Sequence, residues 1–77
     1  LQTGLVAIFC EVPGNLWKIE CQPGGRVRAG DRVAIIESMK TEIPVLAPAT
    51  GTIVGVHCSE GKMVTGGQVM FSMKEES

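Results

Sequence analysis

At 77 residues, with 44% apolar and 19% charged side chains and a formal net charge of −1, the chain has room for one small core and little for an enclosed active-site cleft. Seven basic residues against eight acidic ones form no basic stripe, and three aromatics make no stacking platform, so a nucleic-acid partner is not indicated. The apolar runs are too short to span a bilayer and no signal-peptide pattern opens the chain, so no membrane partner is expected.

Leu5 to Phe9 reads as an opening strand. Leu16 to Cys21 alternates, which sets Leu16, Lys18 and Glu20 on one face and Trp17, Ile19 and Cys21 on the other. Pro23-Gly24-Gly25 is a turn, and Val33 to Ile36 is a continuous apolar run, as in a strand buried on both sides. Thr41 to Leu46 is the next strand, and Pro44, which has no N–H for a ladder, confines it to an edge or a bulge. Thr52 to Cys58 alternates, with Ile53 or Val54 and Val56 toward the core. Glu60-Gly61-Lys62 is a second turn, and Val69 to Met73 closes the chain. No window shows a helical stripe, and ten Gly with four Pro suit a turn-rich domain. The fold class is all-β, a sandwich or barrel.

A shift of 37 positions superimposes the punctuation of the two halves. Gly14 falls on Gly51, Trp17 on Val54, Cys21 on Cys58, Gly24 on Gly61, Val27 on Val64 and Gly30 on Gly67. Two copies are too few for a solenoid, so the pattern predicts two interlocking halves related by a pseudo-two-fold axis. The glycines read as turn formers: no helix follows them to make a phosphate cradle. The chain opens without Met and begins and ends abruptly, which reads as a domain cut from a longer protein.

Where the halves join stands Glu37-Ser38-Met39-Lys40-Thr41-Glu42, between two apolar strands. A two-residue hairpin loop favours Asn-Gly or another Gly-containing pair, because both central residues need φ > 0. Met39 and Lys40 bear a steric cost there, and backbone strain of that kind clusters at functional sites. The repeat sets Lys40 at the end of the body away from both termini, where other proteins have access to it.

The remaining reactive residues carry plainer readings. Cys10, Cys21 and Cys58 are odd in number and have no Cys-x-x-Cys spacing, which argues against a disulfide framework or a metal site. As buried reduced thiols they point to a reducing, cytoplasmic compartment, with the mitochondrial matrix also compatible. His57 has no partner cluster and reads as a surface or satisfied histidine, and Trp17 as a core or covered surface aromatic. No acid, base and nucleophile set is present, so no catalytic residue is assigned and the chain is not read as an enzyme on its own.

Glu37-Ser38-Met39-Lys40 is similar to the Glu-Ala-Met-Lys signature of biotin carboxyl carrier domains. The segments Gly24 to Gly30 and Gly61 to Gly67, each Gly-x-x-Val-x-x-Gly, and Ala47-Pro48-Ala49-Thr50-Gly51 also resemble that family, over about Val12 to Met73. The resemblance implies that residues 1–77 are one carrier domain of a larger biotin-dependent carboxylase. It implies a flattened barrel or sandwiched hammerhead of two four-stranded antiparallel sheets. It implies covalent biotin on Lys40, installed by a biotin protein ligase through attack of the Lys40 amine on biotinyl-adenylate, with Glu37, Ser38, Met39 and Thr41 as the residues the ligase recognises. The biotin would then be a swinging arm, taking a carboxyl group at an ATP- and bicarbonate-using biotin carboxylase domain and yielding it at a carboxyltransferase domain.

Ser38 replaces the commoner Ala and Thr41 a commoner Met, and the second change bears on how readily the ligase acts, since paired methionines flank the family's lysine. No insertion separates Cys21 from Gly24, so the protruding thumb of the bacterial acetyl-CoA carboxylase carrier is absent. Trp17-Lys18 and Lys40-Thr41-Glu42-Ile43 look most like the carrier of urea carboxylase or urea amidolyase, while pyruvate and acyl-CoA carboxylases share the rest. Two other readings stand beside these. One is a lipoyl carrier of the same fold, which usually has Asp before the lysine and Ala after it. The other is an unmodified structural module.

Overall fold

The computed structural model describes residues 4–76, and these contain eight strands. They are β1 (Leu5–Phe9), β2 (Gly14–Ile19), β3 (Arg26–Val27), β4 (Arg32–Ser38), β5 (Thr41–Leu46), β6 (Gly51–Val56), β7 (Met63–Val64) and β8 (Val69–Glu75). Two four-stranded antiparallel sheets form, in the orders β1-β8-β6-β3 and β5-β4-β2-β7. They face each other as a sandwich and do not close into a barrel. Among the described residues no helix is long and apolar enough to cross a membrane.

The 37-residue repeat explains the strand orders. Moving β2, β3 and β4 by 37 positions gives the bounds of β6, β7 and β8, and moving β1 lands within β5. One sheet then maps strand for strand onto the other. Each sheet takes two strands from each half, so neither half has a sheet of its own. The cross-links repeat as well. Gly24 N–H donates to Ile53 O at 2.7 Å and Ile53 N–H to Gly25 O at 2.8 Å; Gly61 N–H donates to Leu16 O at 2.7 Å and Leu16 N–H to Lys62 O at 2.8 Å. Both turns depend on glycine, with φ of 85° at Gly24 and 84° at Gly61, a conformation costly to any residue with a Cβ.

Between the sheets lie Leu16, Val33, Ile36, Ile53, Val64, Met70, Phe71 and Met73, all but sealed from water. Each contributes about 1.5–3 kcal/mol of burial. The described residues include no buried polar or charged side chain. The β5 strand is an edge strand, as Pro44 predicts.

The predicted alternation of Leu16 to Cys21 is corrected in two respects. The strand runs from Gly14 to Ile19, and the register shifts between Leu16 and Lys18, a bulge at Trp17. The extra residue returns Ile19 to the side of Leu16, so both meet the core while Trp17 stays 49% exposed. The β6 strand has its bulge at the equivalent place, between Ile53 and Gly55, and leaves Val54 50% exposed. Of the alternatives Ile53 and Val54, Ile53 is therefore the core residue. The two-residue strands β3 and β7 are too short to show a period, and sequence reading missed both.

Candidate functional site

The site lies at the tip of the β4–β5 hairpin. Ile36, 1% exposed, fastens β4 into the core, and Ile36–Ile43, Glu37–Glu42 and Ser38–Thr41 face one another up the ladder to the turn. Two residues are left to reverse the chain, Met39 with φ 50° and Lys40 with φ 66°. These are the only non-glycine residues with positive φ among those described, and positive φ at both loop positions is the type I′ pattern. The right-handed twist of the flanking strands favours that turn, and neither side chain does. The cost is about 1–2 kcal/mol for each residue.

The other end of the body holds the described ends of the chain. Glu75 N–H bonds Gly4 O, Glu76 N–H donates to Thr50 O at 2.9 Å, and Ala47 N–H donates to Asp31 O at 2.8 Å beside the start of β4. From there β4 runs seven residues to Ser38, about 20 Å at about 3.3 Å per residue. Arg26 and Glu76 form a two-pronged ion pair of 2.7 and 2.9 Å at this same end. Lys40 therefore stands at the opposite end of a body 41 Å long.

The predicted site residues are brought together on the hairpin. Met39 is 95% exposed, and Lys40, Thr41, Glu37 and Glu42 are exposed, with Ser38 half-buried. Glu37 and Glu42 lie directly across the ladder, a like-charge pair that costs stability in a sheet. Neither forms an ion pair with a described residue, and nor does Lys40. Gly14 supports the hairpin from behind, because a Cβ there would come within 2.6 Å of Ile36 Cγ2 and 2.8 Å of the Glu37 carbonyl oxygen. This contact gave no signal in the sequence beyond the matching of Gly14 with Gly51.

Three surface hollows of the described residues, beside Pro44, Cys21 and Lys74, are lined by neither Met39 nor Lys40. The arrangement suits presentation: an exposed primary amine on a flexible stem, on a loop held by two strands. An exposed primary amine of this kind can take a group with a carboxyl function as an amide on the Lys40 Nζ. His57 follows the last residue of β6 and shares a 2.7 Å hydrogen bond between its Nε2 and Ser72 Oγ. Cys10, Cys21 and Cys58 are unpaired thiols in or against the core, and burial pushes all three up, Cys58 to about 11.

A family model described as biotin-requiring enzyme matches residues 6–73. The biotin/lipoyl attachment protein of Bacillus subtilis (strain 168) is 35% identical over 72 residues, which are 94% of this chain and 99% of that protein. The pyruvate carboxylase of the same organism is 34% identical over 68 residues, which are 88% of this chain and 6% of the enzyme. Among solved structures, the urea carboxylase of Kluyveromyces lactis superposes with a TM-score of 0.85 at 33% identity, over 95% of this chain and 6% of that one. The chain thus spans nearly all of one relative and a small part of the two carboxylases.

Proposed function

The chain belongs to the biotin-requiring enzyme family, and on that premise we propose that it is a biotin carrier whose attachment point is Lys40. One observation carries the residue assignment: Lys40 sits in a positive-φ, two-residue turn between well-anchored strands, at the end of the body away from the described chain ends. A tip of this kind enters another protein's active site without the carrier body following it.

The residues of this chain have distinct duties. Lys40 supplies the amide nitrogen and about 6 Å of flexible stem. Its neighbours β4 and β5 fix the point from which that stem swings. Met39, fully wetted beside the target amine, is the main feature for a biotin protein ligase to recognise, with Glu37, Ser38 and Thr41 around it. Biotin, when attached, supplies a ureido nitrogen that takes up and releases a carboxyl group. On this reading residues 1–77 are one domain of a larger carboxylase, and its partners are the biotin carboxylase and carboxyltransferase domains of that enzyme. Trp17-Lys18 and Lys40 to Ile43 favour a urea carboxylase parent over a pyruvate or acyl-CoA carboxylase. Three unpaired thiols favour the cytoplasm.

Co-expression with a biotin protein ligase tests the assignment. The wild type is expected to gain one biotin by intact mass and to be retained on streptavidin, and Lys40→Ala to do neither. Addition of a lipoyl mass, or of none, would overturn it. For the parent, a urea-type carboxyltransferase encoded beside this domain is the expected finding, and an acyl-CoA type would refute it.

A further inference from the structure

One surface breaks the internal symmetry. On the β5-β4-β2-β7 sheet, the bulge sets Trp17 and Lys18 against Ile35, and Ile35 in turn faces Pro44. This row lies on the outer face. Ile35 is 6% exposed yet stands outside the core cluster that holds its neighbours Ala34 and Ile36, so it forms the floor of this outer row between Lys18 and Pro44. In the other sheet the equivalent positions are Val54 and Gly55, Ser72, and Ala7. There the His57 ring lies close over Gly55 and shares its 2.7 Å hydrogen bond with Ser72, so a small row lies under a polar ring. Of these two rows, the large apolar one, with a half-exposed indole at its edge, is on the sheet that ends in the Lys40 hairpin.

The row begins close behind the tip. Lys40 stands one step beyond the Ser38–Thr41 pair, so Ile35 is about 13 Å from it along the ladder, and β2 is about 5 Å to the side of β4. A biotinyl-lysine arm has about eleven bonds from Cα to its ring, about 14 Å when extended. The ring therefore reaches the row by folding back past Glu37 and Glu42. Its chemistry also matches. The apolar edge of the fused bicycle suits Trp17, Ile35 and Pro44, the Lys18 ammonium suits the ureido oxygen, and the Glu37 carboxylate suits a ureido N–H.

We propose that the exposed faces of Trp17 and Pro44, over a floor of Ile35 and flanked by Lys18 and Glu37, form a resting site for the biotinyl group carried on Lys40. The inference rests on the carrier reading above. A short tether gives an effective concentration in the millimolar range, so an affinity near 1 mM half-fills the site. A partner domain that binds the ring more tightly then withdraws it.

Trp17 is the one tryptophan of a chain without tyrosine, so its fluorescence reports on the row alone. Intact mass first establishes the biotin adduct. The acrylamide quenching constant of Trp17 is then compared between the unmodified and biotinylated chains, and the latter is searched for Overhauser contacts between the indole and the biotin bicycle. Quenching is expected to fall roughly twofold on modification, with such contacts present, while free biotin at micromolar concentration leaves the unmodified chain unchanged. An adduct with unaltered quenching and no such contacts would overturn the resting site and leave the carrier reading intact. A chain that gains no adduct overturns both.

Discussion

Replacing Met39 with glycine separates the two demands placed on the hairpin tip. Met39 has φ 50° and is 95% exposed, so its removal forfeits almost no packing and relieves left-handed strain of about 1–2 kcal/mol. Glycine also gives the unfolded chain more freedom, which takes back about 0.4–1 kcal/mol. The net expectation is a gain of about 0.5–1 kcal/mol, or a rise in Tm of about 2–8 °C for a domain this small. Met39→Ala keeps the strain and removes the side chain, so its stability stays within about 0.5 kcal/mol of wild type. Urea unfolding measures both, and modification by a biotin protein ligase is followed on the same samples. Met39→Gly is expected to be the more stable protein and the poorer ligase substrate. A Met39→Gly chain less stable than wild type by about 0.5 kcal/mol or more would refute the strain argument, since it would mean that Met39 makes contacts which its exposure denies.

Gly14→Ala is expected to destabilise the domain by about 1–3 kcal/mol in urea, because its Cβ meets the backbone of Glu37 and the Ile36 side chain on the strand beneath the tip. Gly51→Ala should act likewise against the backbone of Lys74 and Glu75, and the loss of ligase modification should be greater for Gly14→Ala. Burial holds Cys58 protonated to about pH 11 where an unfolded thiol ionises near 9. Its contribution to stability is therefore complete below pH 9 and is lost as pH rises from 9 toward 11, a decline that Cys58→Ala should reduce in thermal unfolding. For the same reason iodoacetamide at pH 8 should label the folded chain slowly and the urea-unfolded chain at all three cysteines.

The hairpin was the most legible part of the molecule. A charged and a long apolar residue at a place where two strands must reverse can satisfy the turn only through positive φ, and Met39 and Lys40 both have it. Pro44 predicted an edge because an amide without a hydrogen cannot serve a ladder on both sides, and β5 is one. The paired glycines predicted the symmetry, since only a recurring left-handed turn needs Gly24 and Gly61 at the same place in each half.

What the sequence determined was thus whatever depends on a residue and its immediate neighbours: the all-β class, the two-fold repeat, the turns and the lysine at their junction. The tertiary structure decided what depends on partners distant in the chain. Whether Leu16 or Trp17 faces the core is not a property of the alternating segment around them. The strand they belong to pairs with β4 on one side and β7 on the other, and the register shift opposite Ile35 turns Trp17 outward. The same shift occurs at Val54, where the pairing with β8 imposes it. A bulge is an agreement between two strands, so no period read along one of them reveals it. The asymmetry that follows, a broad apolar row beside Lys40 and on the opposite sheet a small one under the His57 ring, belongs to the paired strands and to no one of them alone.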